Sequence, residues 1–507
     1  MRGAILVAGT HSDAGKSVVA AGICRWLHRR GVSVAPFKGQ NMALNSIVAA
    51  DGAEIGRSQA VQAAAAGVAT EAAMNPVLIK PSGERRSQVV VMGQPYATAS
   101  ARSYQELKRE LQPIVDSALA DLRSRFDVVV CEGAGSPAEI NLRDGDLTNM
   151  GLARRNDLPV IVVADIDRGG VMASLFGTLA LLDPADQAHV SGFVVNKFRG
   201  DPSILEPGLV RLEELTGRRT LGVLPYVDDM WMDVEDSLAL EARRPEAATT
   251  GDTLDVAVVR LRWMSNFTDA DALSAEPGVR VRFTRSAADI ERADLVILPG
   301  TKATVEDLAR LRSSGLDRAL VARARAGAPI LGICGGYQML GGRIEDDIES
   351  QSGTAEGLGL LPVSTEFAAD KILRRRTGTC AWLATEASGY EIRHGRVTRG
   401  GGDGLLVSAD GEADGCRVGS LIGTSWHGAL EHDGFRRALL AEVADACGRT
   451  FTPGTTSFAA ARAARLDVLG DLVEHHLDTT YLEALIDGGP SADLGTVQTE
   501  VRPCFAS

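Results

Sequence analysis

The sequence predicts an α/β protein of two domains, each built on a mostly parallel sheet. Three observations carry that reading. Short apolar runs alternate with stretches of helical period, the rhythm of βαβ units whose sheet is covered on both faces. At about 150 residues per domain, the 507-residue length accommodates two to four domains. The rhythm breaks over residues 241–252, where EARRPEAATTGD is polar, small and aperiodic, and then restarts.

In the first domain, residues 1–240, buried strands are expected at 4–8, 33–37, 126–131, 158–164, 190–196 and 220–224. Helical period fills 14–30 and 104–125 between them. Residues 241–252 read as a linker. The second domain, 253–450, restarts with strands at 254–261, 294–298 and 328–333, and a further apolar run follows at 421–426. Residues 451–507 read as a C-terminal helical segment, helical over 459–486, with a loose tail from 487.

Composition narrows the function classes. The chain carries 53 Lys and Arg against 66 Asp and Glu, a net charge of −13, which disfavours general affinity for nucleic acid or an anionic membrane. Hydrophobic residues at 45% and charged residues at 23% are globular values and exclude overall disorder. Seven cysteines, an odd number with no CxxC pair, argue against a zinc ribbon or a disulfide scaffold. Reduced thiols fit a cytoplasmic protein. The apolar start MRGAILVAGT is too short for a membrane span and lacks a signal-peptide layout.

The first constellation follows the first strand and opens a helix: Gly9, Thr10, His11, Ser12, Asp13, Ala14, Gly15, Lys16 and Ser17. In such a loop, backbone N–H groups and the helix N-terminus point at phosphate oxygens. Lys16 would neutralise the β and γ phosphates of ATP, and the Ser17 hydroxyl would hold Mg²⁺. Five residues, rather than the usual four, separate Gly9 from Gly15. The competing reading is a glycine-rich turn without a ligand. Glu132, at the C-terminal end of a parallel strand, is a second Mg²⁺ candidate, and Asp51 a weaker one. The segment from Val163 to Gly170 offers acids and an arginine beside the phosphates, and Asn196 and Lys197 offer contacts to the base. Both segments would serve equally as solvated loops.

The second constellation is Gly332-Ile333-Cys334-Gly335-Gly336, between a strand and a helix. This is a nucleophile elbow with cysteine as nucleophile, and the small neighbours permit the sharp turn. The helix N-terminus favours the thiolate. A cysteine nucleophile needs a base, and His427 ends the apolar run at 421–426. His394 is its rival and His432 a distant third. Gly300 ends another strand of the domain, and its backbone N–H would join that of Gly335 as an oxyanion hole.

The motifs together resemble the cobyric acid synthase family, glutamine-dependent amidotransferases of cobalamin biosynthesis. The resemblance rests on GTHSDAGKS, the segment KGQNMALNS from Lys38, DGAEIGR from Asp51, MNP from Met74 and EGAGSPAEIN from Glu132. ADIDRGG, NKFRGD, LPGTKAT, GICGGYQMLG and Gly389-Tyr390-Glu391-Ile392 match too. The match spans residues 3 to 450, and the Lys38 and Glu132 segments are its most specific parts because generic P-loop ATPases lack them. The loop spacing is shared with dethiobiotin synthetase, so the first domain is expected to adopt that P-loop fold and the second a class I glutaminase-like fold. The resemblance implies ATP, Mg²⁺, glutamine and a corrinoid substrate, adenosylcobyrinic acid a,c-diamide. Its b, d, e and g carboxylates would be amidated through acyl phosphates. It leaves room for a homo-oligomer.

The chain also departs from related glutaminases. Those often carry His-x-Glu, whereas Ala429 stands two residues after His427 and Glu431 four after. After Ile392 the family's histidine is replaced by Arg393, with His394 next. The carboxylate that orients His427 therefore stays open. The nearest alternative activity is that of an a,c-diamide synthase, disfavoured by KGQNMALNS and EGAGSPAEIN. A lipid amidotransferase of peptidoglycan more usually divides the two activities between chains. A partition or positioning ATPase would usually carry a further lysine early in the loop, where residues 8–14 have none.

Overall fold

Val, Ile and Ala dominate the strand runs, and they are buried along nearly their whole length because layers cover both sheet faces. The structure, a computed structural model, describes residues 1–83, 86–227, 253–491 and 494–497. The expected linker at 241–252 and most of the expected tail lie outside the described residues.

The first sheet comprises β1 (Gly3–Gly9), β2 (Val34–Phe37), β3 (Val128–Glu132), β4 (Val160–Asp165), β5 (Val190–Phe198) and β6 (Arg219–Pro225). All are parallel, in the order 6-5-4-1-3-2. In β1 the two-residue period sorts Ala4, Leu6 and Ala8 into one core and Ile5 and Val7 into the other. The phosphate loop leaves β1 for helix α1 (Lys16–Arg29), and α2 (Arg57–Ala66) packs beside α1. A smaller mixed sheet of Gln40–Met42, Val77–Pro81, Ser87–Val91 and Gln94–Ala99 stands to one side. A short hairpin, Ser46–Val48 with Glu54–Gly56, faces the second domain.

The second sheet comprises β7 (Leu254–Val259), β8 (Val279–Thr284), β9 (Leu295–Leu298), β10 (Ile330–Ile333), β11 (Cys416–Val418) and β12 (Leu421–Thr424), in the order 8-7-9-10-12-11. Only β11, at the edge, is antiparallel. A long antiparallel pair, Val363–Cys380 with Thr385–Arg399, rises beside this sheet. The helix expected over 459–486 is two helices, α3 (Phe458–His476) and α4 (Thr479–Gly488), divided at Asp478, whose carboxylate caps Tyr481 N at 2.9 Å. Both helices pack on the first domain. A Cβ at Gly22 of α1 would lie 2.7 Å from Leu469 O, so the two backbones meet directly. Arg25–Asp467 and Arg29–Asp471 pairs flank the contact. Among the described residues, no helix is long and apolar enough to cross a membrane.

Candidate functional site

The phosphate loop is shaped by the strands beside it. Gly15 has φ 102°, and a Cβ there would lie 2.0 Å from Asn196 Nδ2, so glycine is required on both counts. Asn196 donates to Ala14 O at 3.0 Å, and Lys197 donates to Asp13 O at 2.9 Å and to Asp165 Oδ2 at 2.7 Å. The two residues expected to meet a base or solvent thus brace the loop from the end of β5, and Asp165 at the end of β4 holds Lys197. Lys16 Nζ donates to His11 O at 2.9 Å and to Gly135 O at 3.1 Å, bridging the loop to the segment after β3. Backbone amides, a helix N-terminus and a lysine converge here, which suits an anion of several phosphates.

Glu132, fully buried at the end of β3, gathers the neighbouring groups. Its Oε1 accepts from Ser17 Oγ at 2.8 Å and from Lys38 Nζ at 2.9 Å, and its Oε2 accepts from Gln62 of α2. A hydroxyl and a carboxylate form an oxygen set that a hard divalent cation takes. Lys38 shares the same oxygen, so an ion there must compete with the ammonium. The described residues hold no cluster of three or more His, Cys, Asp or Glu suited to a metal, so phosphate oxygens and water would complete the shell. Asp51 is not among these groups. Its oxygens cap a turn, accepting from Ala53 N at 3.1 Å and Ala72 N at 2.8 Å.

In the second domain, Cys334 links β10 to the helix Gly335–Leu340 with φ 50° and ψ −106°, a strained conformation for a side-chain-bearing residue and the mark of a nucleophile elbow. The flanking glycines serve contact: a Cβ at Gly336 would lie 1.9 Å from Leu298 O, and one at Gly335 2.8 Å from Thr301 Cγ2. The loop after β9 therefore lies directly against the elbow. A Cβ at Gly300 would lie 2.7 Å from His427 Cε1, which places that loop beside the base as well.

His427 follows β12 and is buried. Its backbone exchanges two hydrogen bonds with Tyr390, at 2.8 and 2.9 Å, and its ring stacks on the Tyr390 ring at 5.6 Å. Nδ1 lies 2.7 Å from Asp269 Oδ2, and Asp269 Oδ1 accepts from Gly428 N at 2.7 Å. Burial opposes an imidazolium, but the charges and hydrogen bonds of Asp269 and Cys334 prevail and push His427 up to about 10. With Nδ1 engaged by Asp269, Nε2 is the ring nitrogen left for Cys334, which lines the same cleft and whose Sγ lies 3.9 Å from Ile392 O. The arrangement is a Cys–His–Asp triad, able to form a thiolate and return a proton to a leaving amine.

Asp269 is the residue that sequence reasoning missed. It lies in the short turn Phe267–Ala270, in the loop that follows β7, and no fixed spacing ties it to His427. The available signal was its position after the first strand of the domain, at the sheet end where α/β folds gather functional groups. The other residues considered have different work. Glu431 pairs with Arg57 of α2 at 2.5 Å and Arg462 of α3 at 3.1 Å. His432 accepts from Phe435 N at 3.3 Å and caps a helix. His394 lines the same cleft as Cys334, but its Nδ1 lies 3.0 Å from Ala368 O, and burial foremost holds it below its ordinary value.

The cleft at Cys334 is completed by the first domain. Lys80 lines it, alongside Gln338, Lys371 and the pair of buried Lys302 with half-buried Glu349. Lys80 and Lys371 both bond Glu54, at 2.6 and 2.5 Å. Burial raises Glu54, but the two lysines prevail and hold it below the usual carboxylate range, while burial brings Lys371 down to about 8. The Asn45–Ser46 step of KGQNMALNS meets the Asp269 loop. Ser46 N donates to Asn266 Oδ1 at 2.9 Å, and Phe267 N donates to Asn45 Oδ1 at 3.2 Å.

Comparison with known proteins agrees with both halves of this geometry. A family model described as CobQ/CobB/MinD/ParA nucleotide binding domain matches residues 5–238. One described as CobB/CobQ-like glutamine amidotransferase domain matches residues 255–435. A cobyric acid synthase of Frankia casuarinae is 59% identical, over 97% of this chain and 98% of its own. Those of Streptomyces avermitilis and Streptomyces coelicolor are 56% and 57% identical, over 97% and 96% of this chain and 98% and 97% of their own.

Proposed function

The chain belongs to the cobyric acid synthase family, and from that premise we propose that it amidates the b, d, e and g carboxylates of adenosylcobyrinic acid a,c-diamide. It is a glutamine amidotransferase with a nucleotide-binding domain. The observation that carries the reading is one chain segment with an end in each site: Lys38 on Glu132 beside the phosphate loop, and Ser46 on the loop of Asp269.

A carboxylate is a poor electrophile, so ATP first converts it, with release of ADP, to an acyl phosphate from which ammonia later displaces phosphate. This step needs mainly positioning and charge neutralisation, supplied by Lys16 and the loop amides. Ser17 and Glu132 would hold Mg²⁺, which supplies further positive charge at the phosphates. In the second domain the Cys334 thiolate attacks the glutamine carboxamide carbon, with the Gly300 and Gly335 N–H groups facing the developing oxyanion. The C–N bond breaks, and His427 gives its proton to the departing ammonia. Water then attacks the thioester with His427 as base, releasing glutamate and the free thiol.

Ammonia released into water would be protonated and lost as a nucleophile. Buried polar groups join the two sites instead. Lys80 bonds Ser46 Oγ and Glu54, Gly56 N donates to Asn75 Oδ1, Asn75 Nδ2 donates to Lys38 O, and Lys38 reaches Glu132. The segments after Lys38 and Glu132 expose Met42, Ile140 and Leu142, which suits a large, partly apolar acceptor. Mass spectrometry of the corrinoid diamide after incubation with enzyme, ATP and glutamine tests the proposal. Four successive replacements of OH by NH₂ are expected. An unchanged diamide, with cobyrinic acid itself becoming diamidated, would assign the chain to the earlier step.

A further inference from the structure

The loop that carries Asp269 is held from outside its own domain. Asn266 opens the turn Phe267–Ala270 with φ 50° and ψ 38°, left-handed backbone that costs a non-glycine residue about 1 kcal/mol or more. Such a conformation persists where surrounding contacts over-determine it. Here the surrounding contacts come in part from the first domain, and they are reciprocal. The carboxamide of Asn45 accepts from the backbone of Phe267, and the carboxamide of Asn266 accepts from the backbone of Ser46. All four residues are buried. Within the turn, Asp269 N donates to Asn266 O at 3.0 Å, so the position of Asn266 passes directly to Asp269 and from there to His427 Nδ1.

We propose that Asn45, a residue of the ATP-binding domain, is a positioning residue for glutamine hydrolysis, acting through Phe267 and Asn266 on Asp269. The inference rests on the glutaminase reading of Cys334 and His427. Asn45 touches neither glutamine nor the reacting thiol; it sets the carboxylate that orients the base. The eight residues from Lys38 to Asn45 then give the phosphate site a mechanical connection to the triad.

The test is Asn45→Ala in the full-length enzyme, with glutamate release and ammonium-supported corrinoid amidation measured on the same preparation. The kcat of glutamine hydrolysis should fall about 10- to 100-fold, the usual effect of removing a group that orients a catalytic residue. KM for glutamine and the ammonium-supported rate should hold. Asn45→Asp retains the acceptor oxygen and should restore most of kcat. Asn266→Gly, made in the other domain, adopts the left-handed turn without strain and removes the carboxamide that accepts from Ser46 N and also lines the cleft at Cys334, so KM for glutamine is measured with it. It should show the same loss of kcat with unimpaired thermal stability. An unchanged kcat in Asn45→Ala, a parallel loss of both activities, or failure of Asn45→Asp to rescue would each overturn the proposal. If Cys334→Ala still hydrolyses glutamine, it is the underlying glutaminase reading that fails.

Discussion

His427 Nδ1 and Asp269 Oδ2 lie 2.7 Å apart across 158 positions of sequence. The carboxylate that orients the base therefore comes from the loop after the first strand of its domain. Related enzymes often supply it two residues downstream of the base. Asp269 also binds Gly428 N, so one side chain fixes both the ring and the backbone that follows it.

Asp269→Asn should lower kcat for glutamine hydrolysis about 100- to 10,000-fold, because the amide no longer enforces the tautomer with its proton on Nδ1. The alkaline limb of the pH–rate profile should also move. In the native protein His427 is pushed up to about 10, so hydrolysis persists through neutral pH and falls as pH rises through about 10, when the imidazolium can no longer protonate ammonia. The same raised value contributes stability that is fully present below the ordinary 6.5 and is lost as pH rises through 10. Removing the Asp269 anion shifts both effects to lower pH. A pH profile of kcat/KM with an unmoved alkaline limb would remove Asp269 from the triad.

Cys334→Ala should separate the half-reactions. Without a thiolate no thioester forms, so glutamine-supported amidation should fall by several orders of magnitude, while high ammonium at mildly alkaline pH restores it. His427→Ala should behave alike. Rates with each nitrogen source, measured side by side, decide the assignment; retention of the glutamine-supported rate would make Cys334 a packing residue.

Lys16→Ala should abolish amidation with either nitrogen source. Its ammonium would meet the phosphates, and in the structure it closes the loop onto His11 O and Gly135 O. Glutamate release alone should survive at some level, because the triad stands in the other domain. ATP-dependent phosphate production near the native rate would contradict the phosphate-loop assignment.

Glu132→Gln should raise the Mg²⁺ concentration needed for half-maximal ATP use, since a neutral amide is a poor ligand for a hard cation. It also removes the anion that holds Lys38, so a fall in kcat should accompany the shift. A Mg²⁺ titration that superimposes on that of the native enzyme would place the ion elsewhere.

What was legible in the sequence was what is contiguous. GTHSDAGKS and GICGG each write a whole local geometry, a loop and an elbow, into consecutive residues, and His427 stood out at a strand end. Asp269 did not, because its partnership is made by folding alone. The segment KGQNMALNS was recognisable but its purpose was not: Lys38 serves the phosphate site, while Asn45 and Ser46 face a second domain that generic P-loop ATPases lack. Glu431, four residues after His427, had no role legible in the sequence; it serves Arg57 and Arg462 at the domain boundary. The long pair Val363–Cys380 and Thr385–Arg399 was hidden by the run Arg374-Arg375-Arg376. The charge of Arg376 is compensated only in three dimensions, by Glu391, Asp410 and Glu412.

The docking of α3 and α4 on the first sheet bears on how the chain is made. Leu466, Leu469, Val473, Leu482, Leu485 and Ile486 fill the same core as Ile5 and Val7 of β1. A Cβ at Gly3 would lie 1.9 Å from Ile486 O, so β1 is covered by α4, which is synthesised long after it. Translation at roughly 5–20 residues per second puts on the order of 10 to 50 s between completion of β6 and arrival of Ile486. During that interval one apolar face of the nascent first domain lacks its cover. It is a surface for chaperones in the cell, and a route to aggregation when synthesis outruns them. A truncation that removes Leu466 to Ile486 accordingly edits the core of the first domain.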